Sequence, residues 1–261
     1  MFYRARKRFG QNFLQDARVV RHILEVLDAR PGEALLEIGP GRGAITRGLL
    51  RAAGGLIAVE LDRDLARELP RRLEGLGRLQ VIQTDALRLN LADLPDPGPF
   101  RVVGNLPYNV STPLLFHLLE QADRIRDMHF MLQREVVERL AAGPGGKTYG
   151  RLSVMVQARC RVEPLFQVGP GAFRPRPKVE SAFVRLLPRH RPVYEPAAAD
   201  CFEVLVLRAF SQRRKTLRKS LRALVPDGAL EAVGIDPRAR PETLAVEDFA
   251  RLAAAVECAP L

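Results

Sequence analysis

Four short apolar runs, each closed by a polar residue or a glycine, limit what this chain can fold into. They are ALLEI (34–38), LIAVE (56–60), LQVIQ (79–83) and FRVV (100–103). Each is too short for a stable helix and is bounded by breaking or polar residues, so each reads as a buried strand. Helical patterns follow the first run (to about Ala53), the second (about Arg63–Glu74) and the fourth (about Thr112–Gln121), and a further strand, MHFML (128–132), comes next. Strands alternating with helices predict an α/β fold on a mostly parallel sheet. An amphipathic helix over about Asp16–Asp28 precedes the first strand, with Val19, Val20, Ile23, Leu24 and Leu27 on one face. Helices are predicted at about 135–140 and 151–159, and RVEPLFQV (161–168) and SAFVRLL (181–187) read as strands able to pair antiparallel.

The residues at the strand ends carry the chemistry. GPGRGAIT (39–46) follows the first strand and leads into a helix. That arrangement lets backbone approach a ligand closely and aims amide N–H groups at it. Gly39, Gly41 and Ala44 also fit the dinucleotide fingerprint, so on this motif alone a nicotinamide enzyme and a plain glycine turn both stay open. The discriminating feature is a trio at successive strand ends. Glu60 can accept from both ribose hydroxyls, Asp85 can accept from an adenine amine, and Asn105 closes the fourth strand. The spacing suits a mononucleoside laid across the strand ends with a second planar substrate beside it. No dehydrogenase-like pairing of a catalytic His with a downstream Arg is evident.

Asn105-Leu106-Pro107-Tyr108-Asn109 fills the gap between the fourth strand and the helix that Ser111-Thr112-Pro113 is expected to cap. Such a loop can hold a planar amino group. The Asn105 side-chain oxygen accepts one hydrogen, and a backbone carbonyl beside Pro107, pre-aimed by the ring, accepts the other. Tyr108 offers a flat face to a base, a contact worth about 1–3 kcal/mol. An ordinary strand-to-helix turn explains the same residues more plainly. Phe173, in the Pro-rich segment before the last strand, has two readings: cover for the second face of that base, or a plug in the core.

The net charge of +11 is unevenly placed. Arg4, Arg6, Lys7 and Arg8 lie in an acid-free segment, 1–15, and Arg208, Arg213, Arg214, Lys215, Arg218, Lys219 and Arg222 lie in another, 204–226. Together they equal the whole excess, so two basic patches sit on a balanced body, as a polyanion partner requires. Basic termini that are merely solvated are the plainer alternative. No run of about 18 apolar residues predicts a membrane span, and no apolar stretch behind the first charges suggests a secretory signal. Cys160, Cys201 and Cys258 are few, odd in number and far apart, which fits a reducing compartment, and the four histidines show no ligand spacing. A cytoplasmic monomer without structural metal is expected. After Leu187 the strand pattern ends; PRHRPVYEP (188–196) resembles a linker, and helices are expected at about 197–210, 214–224, 227–233 and 246–256. The division is therefore 1–190, with a basic N-terminal arm, and 191–261, a small helical, basic RNA-binding domain.

KRFGQNFL (7–14), EIGPGRGAIT (37–46), VELD (59–62), QTDAL (83–87), NLPYNVSTPLL (105–115), LQREVVERL (132–140), YGRLSVMVQ (149–157) and FRPRPKVESAFVRL (173–186) together resemble the KsgA/RsmA family of ribosomal RNA (adenine-N6,N6)-dimethyltransferases. The resemblance implies a Rossmann-like class I methyltransferase with a seven-stranded sheet and a small all-helical C-terminal domain. It implies S-adenosyl-L-methionine as cofactor, held by Asn12, Leu14, Gly39, Gly41, Glu60, Asp85 and Asn105. Asn105, Leu106, Pro107 and Tyr108, with Phe173, are implied to hold the target base. The implied substrate is 16S rRNA in the small ribosomal subunit or its precursor, with two adjacent adenosines dimethylated in a hairpin loop near its 3′ end. Arg4, Arg6, Lys7, Arg8, Arg213, Arg214, Lys215, Arg218 and Lys219 are the candidate RNA contacts. An assembly factor with methylation secondary, or an Erm-type enzyme acting on 23S rRNA, remains an alternative.

Overall fold

The computed structural model describes residues 10–256. The chain runs β1 (Phe13–Leu14), α1 (Ala17–Leu27), β2 (Leu35–Ile38), α2 (Thr46–Ala53), β3 (Gly55–Glu60), α3 (Arg63–Arg72), β4 (Arg78–Gln83), β5 (Phe100–Asn105), α4 (Ser111–Leu119), β6 (Ile125–Gln133), α5 (Arg134–Ala141), α6 (Arg151–Gln157), β7 (Cys160–Val168), β8 (Phe173–Arg174), β9 (Ser181–Pro188), α7 (Ala199–Ser211), α8 (Leu217–Ser220), α9 (Ala229–Ala232) and α10 (Val246–Ala255). It divides into two compact units, one of residues 1–137 and 163–188, the other of 138–162 and 189–261. The chain crosses between them three times, the last at Pro188/Arg189; the segment 138–162 joins the C-terminal unit.

The first unit is organised by a seven-stranded sheet in the order β4-β3-β2-β5-β6-β9-β7. β2 pairs in parallel with β3 (Leu36↔Ile57) and with β5 (Leu36↔Val102), while β9 runs antiparallel to β6 (Phe130↔Val184). All four residues of β2 are buried, as a central strand covered on both faces requires. Its flanking helices are fixed by local signals. Asp16 caps α1 by accepting from the N–H groups of Arg18 and Val19, Asp62 caps α3 through Asp64 and Leu65, and Gly54 ends α2 in the left-handed conformation. Ile23, Leu27, Leu49, Leu50, Leu69 and Val103 belong to one continuous core. The chain enters the sheet at β2, works outward to β4, and returns to β5 on the other side of β2. That reversal opens a crevice outside the carboxyl ends of β2 and β5, where open α/β sheets bind ligands.

In the C-terminal unit α7 buries Phe202, Val204, Leu205 and Val206, and Phe210 meets the rings of Tyr149 and Phe249 at 6.2 and 5.8 Å. Cys160 is free and buried, its thiol pushed up to about 12 by burial. The helix expected at 214–224 is a single turn, Leu217–Ser220. Arg214/Arg218, Lys215/Lys219 and Arg218/Arg222 would stack like charges at i,i+4 in the longer helix, each pair destabilising it.

Candidate active site

The crevice is a cleft of about 280 Å3 whose lining includes Asn12, Leu14, Gly39, Gly41, Glu60, Asp85, Asn105 and Tyr108. Every residue expected to hold the cofactor is thus gathered in one place. Gly41 has φ +57°, and a Cβ there would stand 3.0 Å from the Phe13 ring, so a side chain would be strained in conformation and crowded by that ring. Its N–H donates to Glu60 Oε2 at 3.1 Å, and the Asp62 N–H donates to Glu60 Oε1 at 2.9 Å. Burial pushes the Glu60 carboxyl above the usual range, and those two amides hold it back. Asp85 follows β4 and accepts from the Leu87 N–H at 3.0 Å, capping a short turn at the rim.

Sequence reading passes over Glu37, the third residue of β2. It lines the same cleft, is 2% exposed, and its Oε2 has no hydrogen-bond partner among the described residues. Burial pushes its carboxyl up to about 7, opposed by the Thr46 hydroxyl and reinforced by Glu60. The signal was present as a lone acid inside the apolar run ALLEI.

The notch is built where β5 ends. Gly104 lets β5 lie against β2, since a Cβ there would come within 2.7 Å of the Ile38 carbonyl. Asn105 then donates Nδ2 to the Asn12 carbonyl at 2.8 Å, which commits the amide nitrogen and leaves Oδ1 as the free acceptor. The Pro107 carbonyl is taken by the Val110 N–H at 3.2 Å, while the Leu106 N–H is anchored to Met131 O. Of the two carbonyls beside the proline, that of Leu106 is the one without a donor among the described residues. Tyr108 is half-buried; its hydroxyl shares a 2.7 Å hydrogen bond with Ser181 Oγ, and burial keeps it a neutral phenol. Ser111 is not the expected cap. Val110 occupies that position, and Ser111 Oγ instead donates to Tyr108 O at 3.2 Å, tying the loop to the first turn of α4.

One expectation is corrected. Phe173 is fully buried in the core with Leu14, Ala172 and Phe183 and does not line the cleft, so it is the core plug and not the cover of a base. The cause is β8, which pairs Phe173 with Leu14 of β1. Arg213 is exposed, and its Nη2 donates to Lys147 O and Tyr149 O at 2.9 and 2.8 Å. Arg214, Lys215, Arg218 and Lys219 are exposed. Arg4, Arg6, Lys7 and Arg8 lie outside the described residues.

A family model described as ribosomal RNA adenine dimethylase matches residues 2–257. The chain is 56% identical over 253 residues to the ribosomal RNA small subunit methyltransferase A of Pseudomonas fluorescens, covering 96% of this chain and 93% of that one. Among solved structures, a dimethyladenosine transferase from Plasmodium falciparum superposes with a TM-score of 0.81 at 27% identity over 92% of this chain and 95% of its own. The 23S rRNA methyltransferase ErmE does so with a TM-score of 0.74 at 30% identity over 94% and 99%. A class I methyltransferase sheet, a nucleoside-sized cleft at its switch point and these matches along nearly the whole chain agree: the protein is an rRNA-modifying methyltransferase and belongs to the ribosomal RNA adenine dimethylase family.

Proposed function

We propose that the protein transfers methyl groups from S-adenosylmethionine to N6 of two adjacent adenosines in a hairpin loop near the 3′ end of 16S rRNA, two to each, on the small ribosomal subunit or its precursor in the cytoplasm. The observation that carries this reading is the tethering of Asn105, a cleft residue whose nitrogen is committed to Asn12, so that its oxygen is the atom left to accept.

The cleft fits the cofactor by its donor set. Glu60 suits ribose hydroxyls, the second oxygen of Asp85 suits an adenine amine, and the orphaned Glu37 carboxyl suits a cationic amino group. Asn12, Leu14, Gly39, Gly41 and Asn105 complete the walls. When bound, the cofactor supplies an activated, electrophilic methyl group.

The remaining work falls to the notch. The lone pair of an adenine amine is delocalised into the ring, and two acceptors, Asn105 Oδ1 and Leu106 O, favour the pyramidal nitrogen that attack requires. Tyr108, pinned by Ser181, supports one face of the base. Orientation of this kind contributes up to about 7–11 kcal/mol. An alkylated aromatic amine is acidic enough to lose its proton to water, so the notch needs acceptors and not a base. The target must be unpaired to enter. Arg214, Lys215, Arg218 and Lys219, with the basic N-terminal segment, would bind phosphates, which position RNA without reading its sequence.

Calorimetry with S-adenosylmethionine, followed by methyl transfer to 30S particles from a strain lacking the modification, tests this. Binding and incorporation into 16S rRNA are expected. Incorporation into 50S particles instead, or RNA binding with no transfer, contradicts it.

A further inference from the structure

The segment between β8 and β9, Arg174-Pro175-Arg176-Pro177-Lys178-Val179-Glu180, is absorbed neither by the cofactor cleft nor by the notch. Both of its ends are fastened to residues of that site. At one end, Arg174 pairs with Phe13 across the β1–β8 ribbon, and Phe13 lines the cleft. At the other, the Glu180 carbonyl accepts from the Arg134 N–H at 2.9 Å, the Glu180 carboxylate pairs with the Arg134 guanidinium, and Ser181 holds the Tyr108 hydroxyl.

Between these anchors Pro177 alone is buried; Arg174, Arg176 and Lys178 are all exposed. The prolines fix φ and carry no N–H, so the segment is stiff and cannot fold back on its own backbone. The Cα atoms of successive basic residues, two positions apart, stand no more than about 7 Å from one another. Arg174 donates to the Phe173 carbonyl at 3.0 Å, but Arg176 and Lys178 have no acidic partner among the described residues. The acid of the segment, Glu180, is occupied by Arg134. Val179, 42% exposed, is one of two large apolar side chains left open among the described residues; the other, Leu61, lines the cleft.

We infer that this segment is the rail for the single-stranded RNA flanking the target adenosine. Arg174, Arg176 and Lys178 bind its phosphates, and Val179 lies against a sugar or base. A row of unpaired cations on a stiff support costs little ordering entropy on binding and fits a polyanion of regular spacing. The bond from Ser181 to Tyr108 ties the rail to the ring that supports the base. The inference rests on the rRNA reading above.

The test compares Arg176→Ala/Lys178→Ala with the unaltered enzyme on the same unmethylated 30S particles, measuring KM and kcat at several salt concentrations, with calorimetry of S-adenosylmethionine alongside. Each lost phosphate contact on a single strand flattens the log–log salt dependence by about 0.7, so the double variant should lose about 1.4 of slope and show a raised KM, with kcat and cofactor affinity unchanged. Arg176→Lys should keep the slope. If the unaltered enzyme methylates 30S particles and the double variant matches its KM and slope, the rail is overturned and the rRNA reading stands. If the unaltered enzyme transfers no methyl to 30S particles, both fall.

Discussion

Asp127 and Glu37 are both carboxylates with 1–2% exposure in strands of one sheet, yet their surroundings are opposite. Asp127, near the start of β6, meets Arg101 twice (Nε to Oδ1 at 2.9 Å, Nη2 to Oδ2 at 3.2 Å), His129 at 3.5 Å and Arg185 at 3.5 Å. Burial alone would raise its pKa; the hydrogen bonds from His129 and Arg101 outweigh that and hold the carboxyl well below the usual range. Glu37, by the cleft at the other end of the strands, has no cation, and its Oε2 is orphaned. A saturated buried charge is a structural joint, whereas one left unsatisfied beside a cavity points to a ligand. The same sheet thus carries its fastening at one end and its chemistry at the other.

The contrast breaks first at the joint. Asp127→Ala removes the carboxylate shared by Arg101, His129 and Arg185, leaving Arg101 with Glu33 as its acidic partner, and should lower the unfolding free energy by up to about 3–5 kcal/mol, read by urea denaturation. A loss below about 1 kcal/mol would show that the network is not structural. At the chemical end, Asn105→Ala should leave stability and RNA affinity largely intact while lowering kcat by about 10²–10³-fold, the scale for removing one preorganised hydrogen-bonding group. A variant that instead loses RNA affinity at full kcat would move Asn105 to the RNA surface.

The two acids also predict opposite responses to pH. The raised pKa of Glu37 means the folded protein keeps a proton that the unfolded chain releases near 4.5, so its contribution to stability is present below that pH and lost as pH rises through about 7. Without cofactor, Glu37→Gln should therefore be more stable than the unaltered protein at pH 8, by about 3 kcal/mol at most, with the difference vanishing below about pH 4. An equal difference at both values would contradict the orphaned state. Asp127, with a lowered pKa, contributes stability above the ordinary carboxylate range that is lost only as pH falls below it. The smallest expected effect is at the support of the notch. Ser181→Ala removes one hydrogen bond, worth about 1 kcal/mol, and should reduce kcat about fivefold with cofactor affinity unchanged. No change would mean that packing alone holds Tyr108.

How much of this was legible follows from the kind of signal each part leaves. Strands β2 to β6 and the cleft residues Gly39, Glu60, Asp85 and Asn105 were readable because local pattern and position along the strands fix them. Phe173 was not, because whether an aromatic faces a base or the core depends on the long-range pairing of β8 with β1. Arg213 looks like its neighbours in sequence, and only the fold brings its Nη2 to two carbonyls more than sixty residues away. Glu37 was masked by its apolar neighbours, and Ser181 gained meaning only when the fold brought it to Tyr108.

The account stands or falls on which atoms receive methyl groups. Mass mapping of 16S rRNA from unmethylated 30S particles, after reaction with the protein and S-adenosylmethionine, should place two methyls on the base of each of two neighbouring adenosines near the 3′ end. Methylation confined to sugars, to other bases or to 23S rRNA would contradict it.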